Sequence, residues 1–446
     1  MRTNGKKKLA FLTLGCQMNQ HDSEWIAGVL ADGYEVIEQP DDADFLVINT
    51  CSVRDKAEHK FFSLLGRLRP LKARRGGMII GVAGCVAQDR AEEIIAREPM
   101  VDLVFGTRAI ASVPEMLARF AETGQPQVNT ADTSAFDEYP MTRQSAASAW
   151  VSIMQGCDNH CSYCIVPHTR GPERSRPIES VLREVSALAE QGYREIILLG
   201  QNVNSYGRGL DPETDFPALL ERVASTPGIR RVRFVTSHPK DLSDRLIEVM
   251  GAHPHVCPAL HLPIQSGSDR ILPLMKRGYT VAHYFDRVER LKERVPDLSL
   301  TADVMVGFPG ETDADFLDTL RAVERAEYDN IFLFKFSPRQ GTPAAAMDQR
   351  YPNPSVAQER FERISQAQKA ITRRRYARFI GREVELLVEG TSKRDPAKYT
   401  GRLPQNILAH FSAGTGYTGQ FIRVKIMTAG QYSLSGTLLD NVGKAQ

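Results

Sequence analysis

Short apolar runs alternate with amphipathic segments along most of this chain, and that alternation limits its fold more than any other feature. Within residues 1–124, the stretches 8–14, 45–49, 78–83 and 101–105 read as buried strands, with helices at 22–31, 56–68, 89–97 and 112–122. Strands separated by helices need crossover connections, which build a parallel sheet covered by helices. The alternation resumes with strands at 151–155, 195–200, 232–236, 259–264, 300–306 and 331–336, and helices at 178–191, 216–225, 243–250, 281–294 and 313–326. Six β/α units imply an incomplete (β/α)6 barrel, with chemistry on the loops at the C-terminal ends of its strands. A long helix follows over 355–380. Five short strands, 383–389, 399–402, 407–410, 421–428 and 433–438, are then separated by glycine-bearing turns, as in a small five-stranded β-barrel. The expected organisation is α/β throughout the larger part. An open parallel α/β sheet domain spans 1–124, a polar linker 125–148, a barrel domain 149–380 and a small β-barrel 381–446.

The seven cysteines are placed with respect to these strands. Cys157, Cys161 and Cys164 follow the first barrel strand at C-x3-C-x2-C spacing. Three thiolates can hold a four-iron cluster and leave one iron open to chelate a small molecule. A zinc site would need a fourth protein ligand, for which His160 and His168 are the nearby candidates. Cys16, Cys51 and Cys85 each stand just beyond the end of an N-terminal strand. Ligands of open α/β sheets bind outside those ends, so the three should converge on one rim as a second three-thiolate site. The alternative is that each is a small core residue. Cys257, alone near the start of a strand, reads as core packing. An odd number of cysteines suits metal or redox chemistry in a reducing compartment better than a disulfide framework.

The barrel's later loops are small and polar: 200–207, 236–239, 265–268 and 306–312. Their amide and hydroxyl groups at one mouth suit a zwitterion, a ribose and an adenine. His238 and His261 could serve as acid/base groups or as satisfied structural histidines. Lys plus Arg number 56 against 54 acidic residues, so net charge does not predict nucleic-acid binding and only local clusters can. One such cluster, Arg373, Arg374, Arg375 and Arg378, ends the long helix, where it either contacts an RNA backbone or lies on a solvated face. Tyr399, Phe411, Tyr417 and Tyr432 in the small barrel could stack on bases or fill its core. No apolar run approaches the roughly 18 residues of a membrane span. The run at 9–14 after Lys6, Lys7 and Lys8 is shorter than a signal segment, so a cytosolic protein is expected.

These features together resemble the radical S-adenosylmethionine (SAM) methylthiotransferases, and among them the tRNA-modifying branch that acts on isopentenylated adenosine. The resemblance covers nearly the whole chain. It rests on Gly15-Cys16-Gln17-Met18-Asn19, Asn49-Thr50-Cys51-Ser52-Val53-Arg54, Gly84-Cys85, the C-x3-C-x2-C loop, 200–206, Thr236-Ser237-His238-Pro239 and 261–268. It implies a [4Fe–4S] cluster on Cys157, Cys161 and Cys164 that cleaves SAM, and an auxiliary [4Fe–4S] cluster on Cys16, Cys51 and Cys85 that carries or donates sulfur. Tyr163, Gly200, Asn202, Ser237, Gln265 and Ser266 would then meet SAM; beyond the cluster ligands no catalytic residue is singled out. The small barrel resembles the RNA-binding TRAM module. Implied partners are the tRNA anticodon stem-loop and an electron-donor protein, for a monomeric enzyme. Sibling branches modify a ribosomal-protein aspartate or threonylcarbamoyl-adenosine in tRNA. From another class, a non-catalytic iron–sulfur or zinc RNA-binding protein would share the triads without the chemistry.

Overall fold

The computed structural model describes residues 5–51, 55–132, 140–143, 145, 147–210, 214–347 and 352–440. Ser52, Val53 and Arg54, part of one motif quoted above, lie outside the described residues. The chain forms two compact units. The first comprises Met1–Gln144, Gln155–Asp158 and Cys164–Arg176; the second comprises Ser145–Met154, Asn159–Tyr163 and Pro177–Gln446.

In the first unit the elements are β1 (Lys7–Leu14), α1 (Gln17–Val29), β2 (Tyr34–Val36), β3 (Phe45–Thr50), α2 (Asp55–Arg74), β4 (Ile79–Gly84), α3 (Cys85–Arg97), β5 (Leu103–Phe105), α4 (Val113–Thr123) and β6 (Gln127–Asn129). They build a six-stranded sheet in the order β2-β1-β3-β4-β5-β6, parallel throughout. Both faces are covered, which is why the strands read as continuous apolar runs. Leu46 and Ile48 pack with Phe61, Leu65 and Ile94 on one face. Phe45 and Val47, one step out of phase, pack with Trp25, Ile26 and Met116 on the other. Two expectations change here. Gln127–Asn129, inside the stretch read as a linker, is the sheet's edge strand and pairs with β5. The helix expected from 22 begins instead at Gln17, because Asn19 Oδ1 accepts the Cys16 N–H (3.3 Å) and satisfies a helix-start donor.

The chain continues through β7 (Ser148–Ser152), β8 (Met154–Gln155), α5 (Val166–Arg170) and β9 (Arg174–Ser175). The second unit then adds α6 (Ile178–Glu190), β10 (Glu195–Leu199), α7 (Phe216–Ala224), β11 (Arg231–Phe234), α8 (Asp244–Ala252), β12 (Ala259–His261), α9 (Ile271–Leu274), α10 (Val281–Arg294), β13 (Ser299–Val306), α11 (Asp313–Ala326), β14 (Asn330–Lys335) and α12 (Pro354–Ala377). The six barrel strands hydrogen-bond as two parallel three-stranded sheets, β11-β10-β7 and β12-β13-β14. A single bridge between Val232 and Val256 continues the wall between them. Buried side chains from both sheets and from α6, α7, α8, α10 and α11 form one core.

Strands β15 (Glu383–Thr391), β16 (Lys398–Arg402), β17 (Leu408–Ser412), β18 (Phe421–Ala429) and β19 (Leu434–Asp440) close into a barrel in the order β15-β16-β17-β19-β18. Two arginines of β11 fasten this barrel within the second unit. Arg233 bonds the carbonyls of Leu403 and Pro404 (2.7 Å each) and Glu195 (3.1 Å), and Arg231 bonds Glu385 (2.9 Å). Tyr399, Phe411 and Tyr417 pack on one another within or against the barrel core, so of the four aromatics considered for base stacking only Tyr432 stands in the open, 73% exposed. Among the described residues no helix is long and apolar enough to cross a membrane.

Candidate active site

The N-terminal rim follows from strand register. Leu14 of β1 pairs with Thr50 of β3, and Thr50 with Gly84 of β4. Three neighbouring strands therefore end level, and Cys16, Cys51 and Cys85 leave them within two residues of that line. Strands lie about 4.8 Å apart, so the thiols are gathered within about 10 Å. Cys51, the middle one, hydrogen-bonds to Cys16 and to Cys85. That bond is the main reason the thiols of Cys16 and Cys85 fall to about 6, helped by the charge of Arg170 and opposed by burial. The same bonds push the Cys51 thiol upward. Asn19 Nδ2 donates to Asn49 Oδ1 (3.0 Å), and Asn49 Nδ2 returns a bond to the Asn19 carbonyl (2.7 Å), locking the start of α1 to the end of β3. Gly84 has φ +91°, and a Cβ there would lie 2.4 Å from both Asn49 Oδ1 and the Thr50 carbonyl, so only glycine fits this turn.

Arg170, the last residue of α5, is buried in the same unit. It holds Asp22 of α1 with both guanidinium nitrogens, at 2.6 and 3.3 Å. Its charge acts on both Cys16 and Cys85. Three convergent thiols, two of them readily ionised and close to a fixed cation, fit an anionic thiolate-bound cluster.

The C-x3-C-x2-C loop is held differently. In the first unit, Gly156 has φ +79° and a Cβ there would meet the Pro172 carbonyl at 1.9 Å. The Cys157 N–H donates to the Gly171 carbonyl (3.1 Å). In the second unit, Cys161 is buried, and Arg277 Nη1 donates to its sulfur at 3.4 Å. Ser162 is fixed by bonds to the carbonyls of Met275 and Leu274. His160 and His168 are both exposed. None of the seven cysteines is in a disulfide, and Cys257 is buried. Among the described residues no three His, Cys, Asp or Glu side chains form a ready cage for a single metal ion. Strand register is what brings Cys16, Cys51 and Cys85 together.

The barrel mouth contains the other candidates. Asn202 and Ser237, beyond β10 and β11, are buried. Asn202 Nδ2 donates to Asp241 (2.8 Å), but Asn202 Oδ1 and Ser237 Oγ have no partner among the described residues. Buried polar atoms are rarely left so, and two at one mouth fit a polar ligand such as SAM. Gly200 sits against Met154, 2.4 Å from where a Cβ would stand. Gln265 is buried with φ +64°, and Thr236 beside Ser237 has φ +70°; such strain in non-glycine residues gathers at functional sites. Ser266 instead bonds Thr319 (3.3 Å), and Tyr163 packs against Ile271, Met275 and Phe308, so these two are engaged in internal contacts. His238 is buried and neutral, its imidazole driven down to about 2 by burial and by the charges of Arg277, Lys240 and Arg208. His261 bonds Thr301 (3.0 Å) and lies 3.5 Å from Asp303.

The arginine cluster on α12 is largely spoken for. Arg375 and Arg378 both bind the buried Asp329 (3.1 and 2.6 Å), and Arg374 pairs with Glu327 (2.5 Å), while Arg373 is exposed. Sequence reading singled out neither Arg170 nor Arg277. Each is a lone arginine whose importance lies in partners distant along the chain.

Residues 151–323 match the radical SAM superfamily, and residues 8–106 match the uncharacterized protein family UPF0004. Among solved structures, the radical SAM methyltransferase TsrM from Kitasatospora setae aligns with a TM-score of 0.56 at 13% identity, over 76% of this chain and 74% of that one. The cobalamin-dependent radical SAM enzyme OxsB aligns with a TM-score of 0.53 at 12% identity, over 82% and 58%. At such identity these likenesses establish the fold alone; the superfamily match together with the full-length relatives defines a radical SAM enzyme. The chain is 45% identical to the tRNA-2-methylthio-N(6)-dimethylallyladenosine synthase of Acetivibrio thermocellus, over 98% of this chain and 92% of the relative. It is also 45% identical to that of Ralstonia nicotianae, over 97% and 98%. It therefore belongs to the tRNA-2-methylthio-N(6)-dimethylallyladenosine synthase family of radical SAM methylthiotransferases, enzymes that use SAM and [4Fe–4S] clusters.

Proposed function

We propose that this chain inserts a methylthio group at C2 of N(6)-isopentenyladenosine next to the tRNA anticodon. The observation that carries the reading is the second thiol set, Cys16, Cys51 and Cys85, on one rim of the N-terminal sheet. SAM cleavage alone needs one cluster, whereas sulfur insertion needs a separate sulfur-bearing centre. In this reading Cys157, Cys161 and Cys164 hold the cluster that meets SAM, and Cys16, Cys51 and Cys85 hold the auxiliary one. When bound, these groups and SAM supply the electron, the 5'-deoxyadenosyl radical, the sulfur and the methyl group that no protein acid or base can provide. The chain's own residues then bind and position. Asn202 Oδ1 and Ser237 Oγ take up the polar groups of SAM, with Gly200 and Gln265 shaping the mouth around them. His238, held neutral, contributes no charge there. The partners are the anticodon stem-loop and an electron-donor protein, and the enzyme acts as a cytoplasmic monomer. Tyr432 and Arg373 are the exposed groups best placed to meet RNA.

The test is nucleoside mass spectrometry on isopentenylated tRNA incubated with the anaerobically reconstituted protein, SAM and a reductant. A 2-methylthio product is expected. Cys157→Ala should abolish both SAM cleavage and product, while Cys51→Ala should keep cleavage and lose product. Release of 5'-deoxyadenosine from the intact enzyme without a modified nucleoside would move the substrate to the ribosomal-protein or threonylcarbamoyl branch. Equal loss of cleavage in both variants, with fold and iron retained, would refute the division between the two triads.

A further inference from the structure

Arg277 is a buried guanidinium, 5% exposed, in the turn between α9 and α10. Its donors are fixed by three bonds: Nε to the Tyr279 hydroxyl (3.2 Å), Nη2 to the Pro263 carbonyl (2.9 Å) and Nη1 to Cys161 Sγ (3.4 Å). Tyr279 is anchored in turn by its hydroxyl on the Ile264 carbonyl (2.7 Å). Among the described residues Arg277 makes no ion pair with a carboxylate, whereas Arg170, Arg231, Arg233 and Arg360, buried as well, each make one. A guanidinium stays protonated at any working pH, and a buried charge is stable only beside a counter-charge. Of the three acceptors on Arg277, a carbonyl, a phenol hydroxyl and a cysteine sulfur, only the sulfur becomes an anionic ligand when it holds a cluster.

We propose that Arg277 is the counter-ion of the Cys161 thiolate and thereby a positioning residue that sets the reduction potential of the cluster at Cys157, Cys161 and Cys164. The inference rests on the ligand assignment of the preceding section. A cationic N–H bonded to a ligating sulfur draws off negative charge and favours the reduced, more negative form of the cluster. Arg277 thus makes the electron that starts SAM cleavage easier to accept, without touching SAM or substrate. The rigid anchorage by Tyr279 and Pro263 keeps the donor aimed at sulfur in both oxidation states. Arginine rather than lysine is required because its planar fork meets all three acceptors at once.

The experiment uses the full chain with Cys16, Cys51 and Cys85 replaced by Ala, so that one cluster gives the signal. An EPR-monitored redox titration compares this protein with Arg277→Gln and Arg277→Lys in the same background, with iron content and circular dichroism recorded for each. The expected midpoint potential is highest for Arg, lower for Lys and lowest for Gln, at equal iron content. A purely structural arginine would alter stability yet leave the potentials alike, and equal potentials at full iron content overturn the proposal. Should the Gln variant not fold, Tyr279→Phe takes its place. It loosens the anchor while keeping the charge, and a smaller downward shift is expected; no shift there or in the Lys variant overturns the proposal. Cys161→Ala in the same background tests the premise separately. A full cluster signal in that variant refutes the ligand assignment and the inference with it, whereas its loss beside unchanged Arg277 variants refutes only the inference.

Discussion

Replacing Arg170 by glutamine should expose how firmly the N-terminal unit depends on one ion pair. The side chains of Arg170 and Asp22 are 3% and 5% exposed, and two bonds of 2.6 and 3.3 Å join them. Removing one partner of such a pair strands the other and costs about 3–5 kcal/mol, whereas removing both costs far less. Arg170→Gln should therefore lose about 3–5 kcal/mol, and Asp22→Asn/Arg170→Gln should recover most of it. The penalty should also depend on pH in a definite direction. Burial already raises the Asp22 carboxyl above its usual range, and Arg170 is the group that opposes that rise. Without Arg170 the folded-state pKa climbs further above the unfolded value of about 3.9. Between those two values the folded state binds a proton that the unfolded state does not, so stability falls as pH rises through the window. The gap between variant and wild type should accordingly be wider at pH 8 than at pH 5. The chain has two tryptophans, Trp25 and Trp150, and Trp25 lies on α1, one turn from Asp22. In a Trp150→Phe background, urea titration followed by Trp25 emission reports on this unit alone. A loss under about 1 kcal/mol, or a double variant as weak as the single one, would refute the argument.

Four further outcomes are expected. His238 is driven down to about 2, so below its unfolded value of about 6.5 only the unfolded state takes up its proton. Stability should then fall by up to about 1.4 kcal/mol per pH unit between about pH 6.5 and pH 2, and His238→Asn should remove that slope in urea titrations at pH 7 and 5.5. Gly156→Ala meets both a φ of +79° and a clash with the Pro172 carbonyl, so reconstituted iron at the neighbouring thiol loop should drop, as read by iron analysis in the background with Cys16, Cys51 and Cys85 replaced by Ala. Arg375→Ala with Arg378→Ala should lower thermal stability by stranding Asp329, while Arg373→Ala should weaken tRNA binding without changing the melting temperature. Tyr432→Ala should cost about 1–3 kcal/mol of tRNA affinity if a base stacks on it, measured by filter binding at fixed salt. This point substitution is a cleaner test than deleting the small barrel, because deletion would also strip Arg231 and Arg233 of their bonds to Glu385, Leu403 and Pro404.

What the sequence made legible, and what it hid, divides by the range of the forces involved. The convergence of Cys16, Cys51 and Cys85 could be read because strand periodicity is local and parallel pairing is nearly obligatory once strands alternate with helices. Those two facts place Leu14, Thr50 and Gly84 level, and the cysteines follow. The start of α1 was missed because an asparagine side chain, not an amphipathic pattern, begins that helix. The strand Gln127–Asn129 was missed because it is three residues long, polar and paired on one side only. The fate of the arginines was not legible at all. Arg170 meets Asp22 across 148 positions, and Arg277 meets Cys161 across 116. Charge counting along a helix therefore left Arg375 and Arg378 between an RNA backbone and a solvated face, and did not see the single aspartate 46 and 49 positions earlier that holds both. An arginine run is evidence for an RNA surface only after its buried acidic partners have been subtracted. Here that subtraction moves the proposed RNA contact from Arg375 and Arg378 to Arg373 and the small barrel, and sets apart two buried guanidiniums, Arg170 acting on Cys16 and Cys85 and Arg277 bonded to Cys161.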